Sequence, residues 1–127
     1  MSILTQQTDA RCVLVVEDDA IVRMFIVSHL SDEGYLVLEA SSGEEAIAIL
    51  RATNPPAISV VFTDIQLGGW VTGWDVADAF REAHPEIPLI YTSGQIQNRK
   101  RQLPGSTFLP KPYLPCDIIE LIERRAA

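Results

Sequence analysis

Cysteine is almost missing from this chain: only Cys12 and Cys116 occur, with neither CxxC spacing nor the density of a disulfide framework. Histidine is as scarce, and His29 and His84 are too isolated to suggest a metal cluster, so both are read as surface residues. No apolar run approaches the ~18 residues needed to cross a bilayer. The opening Met1–Gln7 has no basic stretch followed by an apolar core, which excludes a signal peptide of the usual kind. Basic residues are also few. Ten Lys and Arg stand against seventeen Asp and Glu, a formal net charge of −7 that repels phosphate backbones and disfavours nonspecific nucleic-acid binding. These absences leave a soluble cytoplasmic protein, with no membrane and no nucleic acid among its expected partners.

What is present is enough for one ordinary domain. The chain has 127 residues, 47% of them hydrophobic and 21% charged, which suits a buried core and excludes a wholly disordered chain. Residues 1–10 read as a flexible leader and 11–127 as the domain. Cys12–Val16, rich in Val and closed by Glu17-Asp18-Asp19, reads as a strand buried on both faces. A helix follows from Ala20, with Ile21, Phe25 and Leu30, and Met24 and Ile26 nearby, as its apolar positions; Gly34 ends it. Tyr35–Glu39 is a second strand, and Ser42-Gly43-Glu44-Glu45 opens a helix through Leu50, its acids suited to the helix dipole. Ile58–Thr63 is a third strand ending at Asp64. After a Gly-rich loop, Gly68–Gly73, a helix is expected over Trp74–Ala83 with Val76, Ala77 and Phe80 inward. Ile87 and Leu89–Tyr91 form strand four, and Gln95–Leu103 carries a weak helical pattern. Thr107–Leu109 is strand five, and Pro115 starts a last helix with Ile118, Ile119 and Ile122 buried.

Strand–helix alternation without a long linker predicts an α/β domain with an open parallel sheet covered on both faces. Right-handed crossovers put every strand's carboxyl end at one edge, where ligands of such folds bind. The strand exits carry Glu17, Asp18 and Asp19, then Asp64, then Thr92 and Ser93, then Lys111. Carboxylates gathered at one edge raise each other's pKa unless a cation shares the site, and oxygen donors suit a hard ion such as Mg²⁺. A lysine and a hydroxyl beside that ion are what a phosphoryl group needs, and a carboxylate there can accept it as an acyl phosphate. Singly, each feature reads more simply as a solvated loop, a helix cap or a turn. Their joint placement at successive exits carries the inference.

Val15-Val16-Glu17-Asp18, Phe62-Thr63-Asp64, Tyr91-Thr92-Ser93-Gly94 and Lys111-Pro112-Tyr113 occur in the order of a two-component response-regulator receiver domain, which residues 11–125 resemble. The resemblance implies a flavodoxin-like doubly wound fold, five parallel strands in the order 2-1-3-4-5 with five helices. It implies Asp64 as phosphoacceptor, and a Mg²⁺ site of Glu17, Asp18, Asp64 and the backbone carbonyl of Gln66. Asp19, one residue past the acid pair, is expected to cap a helix. Ser93 is the implied switch hydroxyl, with Thr92 the competing residue, Phe108 the switch aromatic, and Lys111 the phosphoryl-binding lysine. Tyr91–Gln95 further resembles a receiver subgroup whose motif reads Phe-Ala-Thr-Gly-Tyr, often paired with atypical sensor kinases. Gly68 stands where the family commonly has Pro, and Gly73 lies nine residues past Asp64, so the intervening loop is longer by one.

The implied partners are a histidine kinase or histidine phosphotransfer protein as donor and a downstream protein target, the chain acting as a monomer or weak dimer. Its chemistry is expected to be limited to its own phosphotransfer and autodephosphorylation. With no domain expected after the last helix, output is by protein contact. The rival readings are a small Mg²⁺-dependent phosphohydrolase and a phosphorylation-independent interaction module. Arg99-Lys100-Arg101 is expected on a solvated face, Trp74 in the core, Trp70 as a candidate gate or partner anchor, and Cys116 as a small buried apolar residue.

Overall fold

Strands and helices alternate along the chain as β1 (Cys12–Val16), α1 (Ala20–Asp32), β2 (Leu36–Ala40), α2 (Gly43–Leu50), β3 (Val60–Asp64), α3 (Gly73–Ala83), β4 (Leu89–Ser93), β5 (Thr107–Pro110) and α4 (Pro115–Ala126). The computed structural model describes residues 11–95 and 99–126. All five strands are parallel, in the order β2-β1-β3-β4-β5. Strand order therefore reverses beside β1, and the exits of β1 and β3 lie side by side, with Val16 paired to Thr63. That is the switch point at which an open α/β sheet binds ligands.

The period of two along each strand splits the core into two layers. Leu14, Val16, Val61, Leu89 and Tyr91 face one way, against Ala46 of α2 and Trp74, Val76, Ala77 and Phe80 of α3. Val13, Val15, Phe62 and Ile90 face the other, against Ile26 and Leu30 of α1 and Ile118 and Ile122 of α4. Burial on both faces explains why these strands read as unbroken Val and Ile runs.

The first three helices start where a short polar side chain satisfies otherwise orphaned backbone donors. Asp19 Oδ1 accepts the Ile21 and Val22 N–H groups at 3.0 and 3.2 Å, the helix cap expected of it. Ser42 Oγ accepts the Glu45 N–H at 3.0 Å. Thr72 and Asp75 close a reciprocal capping box on α3, at 3.2 and 2.9 Å.

Three expectations need correction. Among the described residues there are four α-helices, not five; a single 3-10 turn, Arg99–Arg101, stands where the fourth of five was expected. Gln95–Asn98 supplies almost no apolar stripe to dock a helix, and Pro104 closes the segment early; positions 96–98 of that reading lie outside the described residues, as does the leader 1–10. The inward stripe of α1 is Val22, Ile26 and Leu30, at four-residue spacing, so Ile21, Met24 and Phe25 turn outward at 79%, 68% and 56% exposure. Cys116 is exposed, because the first turn of α4 sends Ile118 and not its neighbour into the core. His29 and His84 are exposed and Trp74 is buried, as read from the sequence.

Candidate functional site

The carboxyl edge of the sheet brings four of the expected residues into contact. Glu17, immediately after β1, and Asp64, the last residue of β3, are 2% and 4% exposed, while Asp18 is open to solvent. One carboxylate oxygen from each of the three lies within 4.8 Å of the others. Lys111, just after β5, places Nζ 2.8 Å from Asp64 Oδ2 and 3.9 Å from Glu17 Oε1. Its backbone N–H donates to the Ser93 carbonyl at 3.0 Å, which ties the lysine to the exit of β4.

Backbone donors orient the acids. The Gln66 N–H donates to Asp64 Oδ1 at 3.1 Å, the Asp19 N–H to Glu17 Oε2 at 3.0 Å, and the Gly68 N–H to Asp18 Oδ2 at 3.2 Å. Arg23 of α1 adds an Nη1 hydrogen bond to the Glu17 carbonyl at 2.8 Å. Gly73 packs directly behind Asp64: a Cβ there would overlap the Asp64 carbonyl oxygen and Ile65 Cα. Glycine is required at that position by close approach, not by backbone dihedral.

The electrostatics at this edge favour a bound cation. Burial, the largest influence, pushes the Glu17 carboxyl up to about 7; the Asp19 N–H opposes this, the Asp64 charge adds to it, and Lys111 opposes it. Burial works against the charge on Lys111, but the hydrogen bond to Asp64 and the charges of Asp64, Glu17 and Asp18 hold its pKa above the ordinary value. One lysine thus faces three carboxylates, and Glu17 Oε1 is buried without a hydrogen-bond partner. An all-oxygen donor set with a buried, unsatisfied carboxylate oxygen fits a hard divalent cation.

Ser93 and Thr92 are separated by the pleat. Ser93 shares a face with Tyr91, in the layer that also holds Phe108, whereas Thr92 shares the opposite face with Ile90. Ser93 Oγ lies 3.5 Å from Gln66 Oε1 and accepts the Gln95 N–H at 3.2 Å. Thr92 Oγ1 is buried without a hydrogen-bond partner. Phe108 is half-buried on β5 beside Tyr91, and Arg99 lies over its ring at 4.1 Å. Arg101 bridges Asp75 and Asp78 of α3 at 3.0 and 2.7 Å. The basic run is exposed as expected, yet both arginines are engaged within the chain.

The sequence reading passed over three contributors. Tyr113 buries a hydroxyl without a partner, and burial, then the charges of Glu17 and Asp64, raise its pKa. Glu44, read as a dipole partner in the first turn of α2, instead accepts the Trp70 N–H at 3.2 Å. Gly73 was read as a loop residue. The Gly73 contact is signalled by a glycine opening an otherwise good helix, and Tyr113 by its place in the Lys111-Pro112-Tyr113 motif; nothing in the sequence signals the Glu44 contact.

A doubly wound α/β sheet with buried acids and a lysine at its switch point defines a phosphoryl-handling class of site. The comparisons narrow the class. A model of the response regulator receiver domain family matches residues 13–123, and the chain belongs to that family. It is 33% identical to the sensor kinase CckA of Brucella abortus over 95% of this chain and 13% of that protein. It is 28% identical to the nitrogen assimilation regulatory protein NtrX of Azorhizobium caulinodans over 91% of this chain and 26% of that protein. The chain thus spans a small part of these curated relatives. Among solved structures, a response regulator receiver protein from Sinorhizobium medicae superposes with a TM-score of 0.86 at 33% identity, covering 93% of this chain and 95% of that one. Among the described residues no helix is long and apolar enough to cross a membrane.

Proposed function

We propose that this receiver domain takes a phosphoryl group onto Asp64 from a phosphohistidine donor, a histidine kinase or histidine phosphotransfer protein, and signals by protein contact. The observation that carries the reading is the Asp64–Lys111 contact at 2.8 Å inside the three-carboxylate cluster. An Asp64 carboxylate oxygen attacks phosphorus in line. A P–O bond forms as the donor P–N bond breaks, and the electron pair of that bond stays with the departing imidazole nitrogen. Lys111 Nζ exchanges its Asp64 contact for a phosphoryl oxygen and meets the charge gathered there. Glu17, Asp18, Asp64 and the Gln66 carbonyl would hold Mg²⁺, which supplies charge neutralisation to the transferring group.

The outward stripe of α1 supports a helical protein as donor. Met24 and Phe25 line a groove of about 850 Å³ with Tyr113 and Pro115, and Gly94 and Lys111 form part of its wall. An apolar surface beside the phosphoryl-binding lysine suits a partner that must deliver its histidine there. After transfer, the new phosphoryl oxygens draw on Ser93, and Phe108, on the same face, repacks in response; both packings need lie only a few kcal/mol apart for the population to shift. The chain's own chemistry ends with gain and loss of this phosphoryl group.

The test is direct. Incubated with Mg²⁺ and a small acyl phosphate, the parent chain should gain one phosphoryl group on Asp64 by peptide mapping, and Asp64→Asn should gain none. Label persisting undiminished in that variant overturns the reading. Steady turnover of free phosphoester would favour a hydrolase instead.

A further inference from the structure

The loop between Asp64 and α3 runs between the acid cluster, which it meets through Asp18, and the first turn of α2, which it meets through Gly43 and Glu44. Gly68 donates its N–H to Asp18 Oδ2 at 3.2 Å. Gly69, at φ +103°, leaves a space in which a Cβ would come within 3.1 Å of Glu44 Oε2. Trp70 donates its N–H to Glu44 Oε2 at 3.2 Å while its side chain is 94% exposed. Val71 packs so tightly on Gly43, the residue before Glu44, that a Cβ on Gly43 would overlap it.

We propose that Glu44 is a positioning residue for the divalent-ion site: it fixes the Gly69–Trp70 backbone, which places the Gly68 N–H on the Asp18 carboxylate and so sets the orientation of that ligand. The inference deepens the function proposed above and rests on its divalent-ion requirement. Gly68 is the backbone donor that the hydrogen bonds at the site give Asp18, whose carboxylate is exposed to solvent and whose other contact there is the Glu17 side chain. A ligand held by a backbone donor is pre-oriented, so less ordering is needed when an ion binds. A proline at position 68 would have no N–H to offer, so this arrangement depends on a residue other than proline standing there. Glu44 lies four residues before Ala48 on an exposed turn of α2 and has no core to support, which frees it for this role.

Calorimetric Mg²⁺ titration of the folded chain, with ion-free melting temperatures in parallel, tests the proposal. Glu44→Ala should weaken Mg²⁺ binding by about three- to tenfold, below the range usual for enclosed outer partners because this contact is exposed. Its ion-free melting temperature should match the parent's. Glu44→Gln keeps the acceptor and loses the charge, and should bind within twofold of the parent. Trp70→Phe keeps the backbone donor and should also match. Equal affinity for the parent and Glu44→Ala overturns the proposal and leaves the function standing. Equal loss in Glu44→Ala and Glu44→Gln makes the effect one of long-range charge and also overturns it. A parent chain that binds no Mg²⁺ removes the ion requirement itself and the inference with it.

Discussion

Glu17 sits in an environment that opposes its charge. Its carboxyl is buried and raised from 4.5 to about 7, so the fold favours the protonated form. A raised folded-state pKa contributes stability that is fully present below about 4.5 and is lost as pH rises through about 7. The ion-free protein should therefore be less stable and melt at a lower temperature at pH 8 than at pH 5. Glu17→Gln should flatten that slope, and saturating Mg²⁺ should oppose it by binding the ionised form. Thermal melts at the two pH values, with and without Mg²⁺, check this. At this scale much of the site was legible, since Glu17, Asp18, Asp64 and Lys111 each follow a hydrophobic run that reads as a strand. Side-chain contacts between distant loops were not. No periodicity announces that Arg99 will lie over Phe108 or that Glu44 will reach Trp70.

Capping chemistry and close approach separate two neighbours at the start of α3. Thr72 supplies half of the capping box, and Thr72→Ala should cost about 1 kcal/mol in urea unfolding without changing phosphoryl uptake. Gly73 lies against the Asp64 carbonyl, so Gly73→Ala must move the backbone that carries the proposed phosphoacceptor. That variant should lose more stability than Thr72→Ala and lose phosphorylation rate as well. Equal rates in the two variants would show that the contact does not position Asp64. Element boundaries followed from the sequence to within a few residues because caps, glycines and prolines marked them. The rotation of α1 did not, because Ile21, Met24 and Phe25 made its outer face as apolar as its inner one and left no polar stripe to settle the direction.

The molecule as a whole obeys its strand–helix alternation, and strand order follows from the family resemblance more than from any local signal. Only the segment between β4 and β5 departs, and there Arg101 holds the chain to α3 by ion pairs where a helix would have packed through side chains. The excess of carboxylates described at the sheet edge is repeated over the whole surface, which carries a formal net charge of −7. Long-range repulsion slows the diffusional encounter with any small dianionic donor, and added salt screens it. Uptake from an acyl phosphate at saturating Mg²⁺ should therefore quicken as ionic strength rises from 0.05 to 0.3 M, by about two- to threefold in initial rate. Transfer from a protein donor with a basic rim should slow over the same range. On the function proposed above, this charge disfavours small anionic phosphodonors in the cell and favours a protein donor with a basic rim.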